Sequence, residues 1–352
     1  MQKTAICFGM GLAALVHCGA AQAQSNVTVY GVMDAFAEWG KAGTKAAPVK
    51  QNRIQTGGAN GSRLGFRGTE DLGGGLKANF LLEHGLIVDT GTPASSSSFW
   101  NRQVFVGLSG GWGALTAGRH YSPLLTHQDT FDPALSTTGY GSAYNSGVMR
   151  FISRVNNSLL YKTPDLSGFS GALMVAPGEN VTGKTHSASV KFEKGIVGVG
   201  AAYGITEGLD STKEDKSIWN IAGSLKLGSA ATLMAAVQHT RNDSQTINVQ
   251  DNRSEFMLGG TYTFGANELR LSYGQGKIAR VSDSTARHTS LGYLYNLSKR
   301  TALYAAVQSV DNPNNTGYRG TNGFTFDAIE GGVPAGAGVH ARAVAVGMRT
   351  RF

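Results

Sequence analysis

Residues 255–264 read EFMLGGTYTF, and their apolar or aromatic side chains recur at every second position. The intervening positions carry a glutamate and two threonines, whereas the apolar set comprises Phe256, Leu258, Gly260, Tyr262 and Phe264. A two-residue period is that of a β-strand, whose successive side chains point to opposite faces of the sheet. This stretch therefore predicts a strand with one apolar face and one polar face.

The same alternation recurs along the chain, for example in residues 219–227, 268–273 and 290–297. Between Val27 and Phe352 we count about sixteen such segments, an even number typical of outer-membrane barrels. Tight connections, such as residues 264–267, alternate with long ones, such as residues 311–339. This order predicts an all-β chain of antiparallel neighbouring strands.

The alternation by itself leaves two folds open, because the apolar face points inward in a soluble sandwich and outward in a membrane barrel. The polar face is rich in Gly, Ser, Thr and Asn, as the wall of a wet lumen would be. Short and long connections alternate, and aromatic residues gather near strand ends, as in an interfacial girdle. We therefore expect a transmembrane antiparallel β-barrel of about sixteen strands around an aqueous channel.

Residues 1–23 have the features of a signal peptide: Lys3, an apolar stretch too short to span a bilayer, and Ala21-Gln22-Ala23 before the cleavage site. Both cysteines, Cys7 and Cys18, lie in this leader, so no disulfide is expected in the mature protein. Residues 24–352 contain no repeat of fixed period and no linker, and we expect one barrel domain. No apolar run there approaches the length of a membrane helix.

Charge and motifs argue against other functions. The formal charge of +8 becomes +7 once Lys3 is removed, but the basic residues are scattered, which disfavours nucleic-acid binding. Residues 107–111, GLSGG, match the G-x-S-x-G string of hydrolases, but a turn and a strand follow where a helix is needed. No metal-ligand spacing or phosphate-binding loop is present. We therefore predict no enzyme, no cofactor and no metal site.

The longest feature without a strand or helix period is residues 119–154, RHYSPLLTHQDTFDPALSTTGYGSAYNSGVMRFISR. A loop of this length in a compact domain is usually functional or disordered, and loop statistics alone favour a solvated surface loop. The surrounding barrel pattern instead predicts that about residues 121–152 fold into the barrel mouth as a constriction. The charged residues expected there are Arg63, Arg102, Arg119, Arg150, Arg154, Asp129 and Asp132.

The chain resembles the general Gram-negative porins, in particular the branch common in beta-proteobacteria. Five pieces carry the resemblance, and they span nearly the whole mature sequence. They are VTVYGVMDAF (27–36), SRLGFRGTEDLGGGLKANFLLE (62–83), NRQVFVGLSGGWGALTAGRHYSP (101–123), RVNNSLLYKTPDLSGFSG (154–171) and the terminal VGMRTRF (346–352).

The resemblance implies a homotrimer of sixteen-stranded barrels with an inward third loop, in contact with outer-membrane lipid and lipopolysaccharide. It also implies that Arg63, Arg102 and Arg154 form the family's basic cluster on the pore wall. For Arg102 the strand pattern is poor, because Val104 and Val106 share its face. The segment FDPAL (131–135) resembles an acidic part of the constriction loop, but residues 133–149 contain no Asp or Glu, unlike the enterobacterial members.

We therefore expect an outer-membrane channel for passive diffusion of small hydrophilic solutes and inorganic ions. Because arginines outnumber acids at the expected constriction, a weak preference for anions follows. One alternative is a solute-selective channel of the same fold, with Tyr140 and Tyr144 as stacking surfaces. A less favoured one is an outer-membrane barrel that acts as an enzyme or adhesin.

Overall fold

The computed structural model describes residues 26–43, 48–136, 139–179, 183–208, 215–242, 252–279, 284–311 and 340–352. The predicted signal peptide lies outside them. No helix within these ranges has the length and apolar character needed to cross a membrane. The elements are β1 (Asn26–Gly43), β2 (Pro48–Thr56), β3 (Arg63–Gly73), β4 (Leu76–Ile87), β5 (Thr92–Pro93), β6 (Val104–Gly110), β7 (Gly113–Tyr121), α1 (Pro123–Phe131), β8 (Arg154–Lys162), β9 (Phe169–Ala176), β10 (Thr185–Lys194), β11 (Val197–Thr206), β12 (Lys216–Leu227), β13 (Ala231–Asn242), β14 (Arg253–Phe264), β15 (Asn267–Ile278), β16 (Thr285–Asn296), β17 (Thr301–Asp311) and β18 (His340–Arg351).

The described strands form one antiparallel sheet that closes on itself. One edge of β1 pairs with β18, from Val32↔Arg351 to Gly43↔His340. Its other edge pairs first with β3 and then with β2, so these two strands occupy a single position in the barrel. The short β5 pairs only with the end of β4. With β2 and β3 counted together and β5 set aside, the barrel has sixteen strand positions, which confirms the predicted fold.

The break between β2 and β3 is held by β1. The Asp34 carboxylate accepts hydrogen bonds from the backbone N–H groups of Ala59 and Asn60, at 3.0 and 2.7 Å. Tyr304 of β17 donates to the same carboxylate at 2.6 Å. Backbone groups that leave the sheet ladder within a membrane protein must find partners elsewhere, and these contacts provide some of them.

The apolar face of each strand points outward, away from the lumen. On β15 and β14, Leu271 and Leu258 are 53% and 54% exposed, whereas their neighbours Ser272 and Met257 are buried on the inside. On β12, Ile221 is 53% exposed beside a fully buried Asn220. An apolar exterior with polar groups inside is the arrangement that lipid outside and water inside require.

The short connections lie together at one rim of the barrel. In the β14–β15 turn, Gly265 has φ +60°, and in the β12–β13 turn Gly228 has φ +64°. Both angles lie in the left-handed region, where a side chain would add strain and glycine does not. The strand ends that lead into the longer connections lie at the opposite rim.

We expect Leu271→Arg to destabilise the barrel by about 2–4 kcal/mol, because it places a charge near the bilayer midplane. The measurement is reversible urea unfolding in lipid vesicles. The matched control is Leu297→Arg, in the short β16–β17 turn, where the cost should be about 0–1 kcal/mol. An equal cost at both positions would contradict the outward orientation of the apolar face.

Candidate pore constriction

The connection between β7 and β8 begins with α1. Ser122 caps the helix, since its hydroxyl accepts a hydrogen bond from the Leu125 N–H at 3.0 Å. Pro123 occupies the first turn, where its missing N–H costs nothing. The helix ends at Phe131, because Asp132 adopts an extended conformation and is followed by a proline, which disfavours helix at the residue before it.

The helix packs against the inner wall formed by β9–β13. Leu124 is fully buried in a cluster with Met174 of β9 and Ile218 of β12. His127 Nε2 lies 2.9 Å from Asn220 Oδ1, and Gln128 donates to Gln238 Oε1 at 2.7 Å. Burial lowers the pKa of His127 to about 4, so this residue adds no charge to the lumen at neutral pH.

The rest of the connection continues around the inner wall to the opposite side. The Tyr140 N–H donates to the Gly58 carbonyl at 2.7 Å, and its ring meets Phe36 of β1 edge-on at 5.7 Å. The Gly141 N–H donates to Gln308 Oε1 at 3.1 Å, and Ser290 donates to the Gly141 carbonyl at 2.6 Å. We refer to the described residues of 122–153 as the inner loop, because these contacts join it to β1, β16 and β17.

Glycines on the inner wall make room for the inner loop. A Cβ atom on Gly274 would lie 2.5 Å from the Ala143 Cβ, and one on Gly276 would lie 2.5 Å from the Val148 carbonyl oxygen. These separations are well below van der Waals contact. The sequence pattern places such glycines on a polar face, and in the structure they have a steric role.

Three of the predicted arginines converge beside the inner loop. Arg63 Nε lies 3.4 Å from Glu83 Oε1, and Arg102 Nε lies 3.8 Å from Glu83 Oε2. Arg102 and Arg154 donate to the Tyr121 hydroxyl at 2.6 and 3.1 Å. The Arg154 guanidinium also lies 4.9 Å from the centre of the Tyr121 ring, in a cation–π contact. We call Arg63, Arg102 and Arg154 the arginine cluster.

The sequence placed Arg102 on the same strand face as Val104 and Val106, but β6 begins only at Val104. Alternation therefore does not apply to Arg102, whose side chain turns toward Glu83 while Val106 faces outward.

Glu83 was not predicted from the sequence. It is 5% exposed and accepts a hydrogen bond from the Tyr30 hydroxyl at 3.0 Å, in addition to its contacts with two arginines. Arg67 lies over the Tyr30 ring, 5.2 Å from its centre. Glu83 follows Leu81 and Leu82 in an apolar run, which hides its inward orientation in the sequence.

Two other predicted arginines lie outside the cluster. Arg119 pairs in register with Val104, on the face that carries the outward Val106, and its guanidinium donates to the carbonyls of Asn101 and Arg102. It supports the backbone that presents Arg102. The carbonyl of Arg150 accepts hydrogen bonds from Gln128 and Gln238, and its side chain interacts electrostatically with Glu255 of β14.

The two predicted acids also lie apart from the cluster. Asp132 is 7% exposed, and its carboxylate accepts hydrogen bonds from the Ala134 N–H at 2.9 Å and the Ser142 hydroxyl at 2.6 Å. It organises the inner loop; the sequence predicted it as one of the charged residues at the constriction. Asp129 is exposed on α1. Within the described ranges, no group of metal-ligating side chains could hold a metal ion.

Comparisons with known proteins agree with this architecture. The sequence profile described as "Gram-negative porin" matches residues 11–315. Outer membrane porin protein 32 of Delftia acidovorans is 32% identical over 360 residues, covering 97% of this chain and 99% of that protein. Major outer membrane protein P.IB of Neisseria gonorrhoeae is 27% identical over 315 residues, covering 81% of this chain and 88% of that protein.

Among solved structures, the anion-selective porin from Comamonas acidovorans superposes with a TM-score of 0.77 at 28% identity, covering 94% of this chain and 100% of that one. The trimer form of OmpT from Vibrio cholerae superposes with a TM-score of 0.67 at 15% identity, covering 93% of this chain and 99% of that one. This second likeness concerns the fold alone.

We expect Asp132→Ala to loosen the inner loop by about 1–3 kcal/mol, because it leaves a buried N–H and a buried hydroxyl without their acceptor. Hydrogen exchange of the amides of Ala134 and Tyr144 should rise accordingly. Asp129→Ala, which removes an exposed carboxylate three residues earlier in the chain, is the control and should leave both amides unchanged. Equal exchange in the two variants would show that Asp132 does not organise the loop.

Proposed function

Because the chain belongs to the Gram-negative porin family, we propose that the arginine cluster makes its pore weakly selective for anions. The protein is an outer-membrane porin, a channel for passive diffusion and not an enzyme. The observation that carries the proposal is the convergence of three guanidinium groups: Arg63 and Arg102 lie beside the Glu83 carboxylate, and Arg102 and Arg154 donate to the Tyr121 hydroxyl.

The size of the effect follows from electrostatics. Three guanidinium groups and one carboxylate leave two positive charges in excess. One unit charge at 4 Å in water contributes about 1 kcal/mol, or about fivefold in local ion concentration. The low-dielectric wall focuses the field and increases this effect, while salt screens it. A weak preference that declines as ionic strength rises is therefore expected.

Tyr121 holds the cluster in place. Its hydroxyl accepts hydrogen bonds from two guanidinium groups, and its ring supports one of them. A neutral acceptor brings these cations together without cancelling their charge, whereas a second carboxylate would remove much of the excess. Arginine also stays charged across the whole physiological pH range, so the proposed selectivity does not depend on a titration near neutral pH.

The other parts of the site contribute less to permeation. We propose that Arg119 supports the backbone before β6 and that Arg150 supports the inner loop. We propose that Asp132 holds the inner loop through its hydrogen bonds to Ala134 and Ser142. Tyr140 and Tyr144 are 2% and 1% exposed, so neither offers a free ring for stacking a solute. This burial favours a general diffusion pore for small hydrophilic solutes over the solute-selective alternative.

We further propose that the protein assembles as a homotrimer in contact with outer-membrane lipid and lipopolysaccharide. The resemblance to trimeric porins supports the assembly, and the exposed apolar exterior supports both contacts. Phe99, 63% exposed in the connection between β5 and β6, is one side chain available to a neighbouring copy.

Replacing Arg63 or Arg154 by Gln should lower the anion preference severalfold and raise the effective pore size, because each change removes a guanidinium from the lumen wall. Reversal potentials of single channels in a salt gradient measure the preference, and liposome swelling with a size series of sugars measures the aperture. A clear cation preference of the wild-type channel would refute the proposal.

Replacing Glu83 by Gln should shift the reversal potential in the opposite direction, because it removes the carboxylate that offsets the arginine cluster. The matched control for charge is Lys299→Gln in the short β16–β17 turn, at the rim of the barrel. If Lys299→Gln and Arg154→Gln shifted the potential equally, net charge and not the cluster would set the selectivity.

We also predict that the mature chain begins at Gln24, because the Ala21-Gln22-Ala23 sequence fits the cleavage site of a signal peptide. Intact mass measurement of protein extracted from outer membranes tests this directly. Retention of residues 1–23 in the outer-membrane form would contradict it.

A further inference from the structure

The chain between β2 and β3 lies beside the arginine cluster. Residues 57–62, GGANGS, leave the sheet where these two strands share one position in the barrel. The Gly58 carbonyl accepts the hydrogen bond from the Tyr140 N–H of the inner loop, and Ala59 is fully buried. We refer to residues 57–62 as the wall insert, because it connects the barrel wall with the inner loop.

The backbone of the wall insert is held on β1. The Asp34 carboxylate accepts hydrogen bonds from the N–H groups of Ala59 and Asn60. The Ser62 hydroxyl accepts a hydrogen bond from the Asp34 N–H and donates one to the Asp34 carbonyl, both at 3.0 Å. These contacts fix the backbone at both ends of Asn60 and Gly61, so the acceptors that these two residues present have fixed positions.

Two acceptors of the wall insert hold the Arg63 guanidinium. Its Nη2 atom donates to Asn60 Oδ1 at 3.0 Å, and its Nη1 atom donates to the Gly61 carbonyl at 3.3 Å. The Asn60 amide is oriented for this contact, because its NH2 group donates to the Ala59 carbonyl at 3.1 Å and its oxygen faces Arg63. Both acceptors are neutral, so they position the guanidinium without cancelling its charge.

Glu83 offers the same guanidinium a competing partner. Arg63 Nε lies 3.4 Å from Glu83 Oε1, whereas a charge-assisted hydrogen bond between such groups is about 2.7–2.9 Å long. Among the described residues, no group donates a hydrogen bond to Glu83 Oε2. A bidentate pair would satisfy both carboxylate oxygens, but it needs at least one terminal nitrogen of Arg63, and the wall insert binds both of them. The ion pair is therefore held open.

Closing this ion pair would change the field in the lumen. The Arg63 side chain is 22% exposed and that of Glu83 only 7%. A guanidinium that turned fully toward Glu83 would move out of the water and into the wall. A passing anion would then meet the weak field of a closed pair instead of that of a separate positive charge.

We propose that Asn60 is a positioning residue for ion selectivity: its amide oxygen, together with the Gly61 carbonyl, holds the Arg63 guanidinium at the lumen and keeps it from closing a bidentate pair with Glu83. The inference rests on the proposed anion selectivity of the arginine cluster and makes part of it depend on a neutral side chain. Since Asn60 carries no charge, a change of selectivity on its replacement by alanine cannot come from net charge.

The test is the reversal potential of single Asn60→Ala channels in a salt gradient. The anion-to-cation permeability ratio should fall by about twofold, because the variant loses about half, on a logarithmic scale, of the roughly fivefold effect of one unit charge. The matched control is Asn79→Ala on β4, whose amide bonds instead to the hydroxyls of Thr69 and Ser109, at 3.1 and 2.7 Å. Its permeability ratio should equal that of the wild type.

A double-mutant cycle with Glu83→Gln separates positioning from a general disturbance of the wall. If Asn60 acts by keeping Arg63 away from the Glu83 carboxylate, Asn60→Ala should leave the permeability ratio unchanged once Glu83 is replaced by glutamine. The same loss in both backgrounds, or no loss in the wild-type background, would overturn the inference. Only channels that insert and conduct are counted, so each potential reports on a folded barrel.

The same recordings distinguish this inference from the proposed function. An anion-selective wild type whose ratio is unaffected by Asn60→Ala would refute the positioning role alone. A cation-selective wild type in which Asn60→Ala increases the cation preference, and does so only when Glu83 is present, would refute the proposed selectivity and support the positioning role.

Discussion

The barrel depends on closure of the backbone hydrogen-bond ladder between β1 and β18. In hydrocarbon, an open sheet edge would leave a line of N–H and C=O groups without partners, at several kcal/mol for each group. The pairing of the first and last strands removes that edge and separates an outer surface from an inner one. Lipid then selects apolar side chains on the outside, and the enclosed water permits glycine, hydroxyl and charged side chains on the inside.

This separation explains why the fold could be predicted from the sequence. Lipid on one face and water on the other impose a strict two-residue period, so the stretch 255–264 already indicates the strand. The alternating connections and the aromatic residues near strand ends indicate its orientation. Tight glycine turns and the count of segments then give a barrel of sixteen positions. The break between β2 and β3 was not predictable, because a carboxylate on a different strand, Asp34, holds it.

The constriction was less accessible to sequence reasoning, because its geometry depends on contacts between distant residues. Arg63 has a clear inward position in an alternating strand, but Glu83 lies within an apolar run, and its partners are up to 53 residues away. Asp132 has the residue type expected of a pore-lining acid, yet its carboxylate accepts a hydrogen bond from the hydroxyl of Ser142, ten residues later. The type of a charged residue thus predicts its chemistry, whereas its role depends on packing.

The inner loop draws its support from both ends of the chain. Tyr140 binds the carbonyl of Gly58, in the break next to the first strand, and Gly141 binds Gln308 on the penultimate strand. These two anchoring points flank the seam where the barrel closes. The width of the passage and the integrity of the seam are therefore mechanically coupled. Any deformation that separated the terminal strands would also withdraw the supports on which the aperture rests.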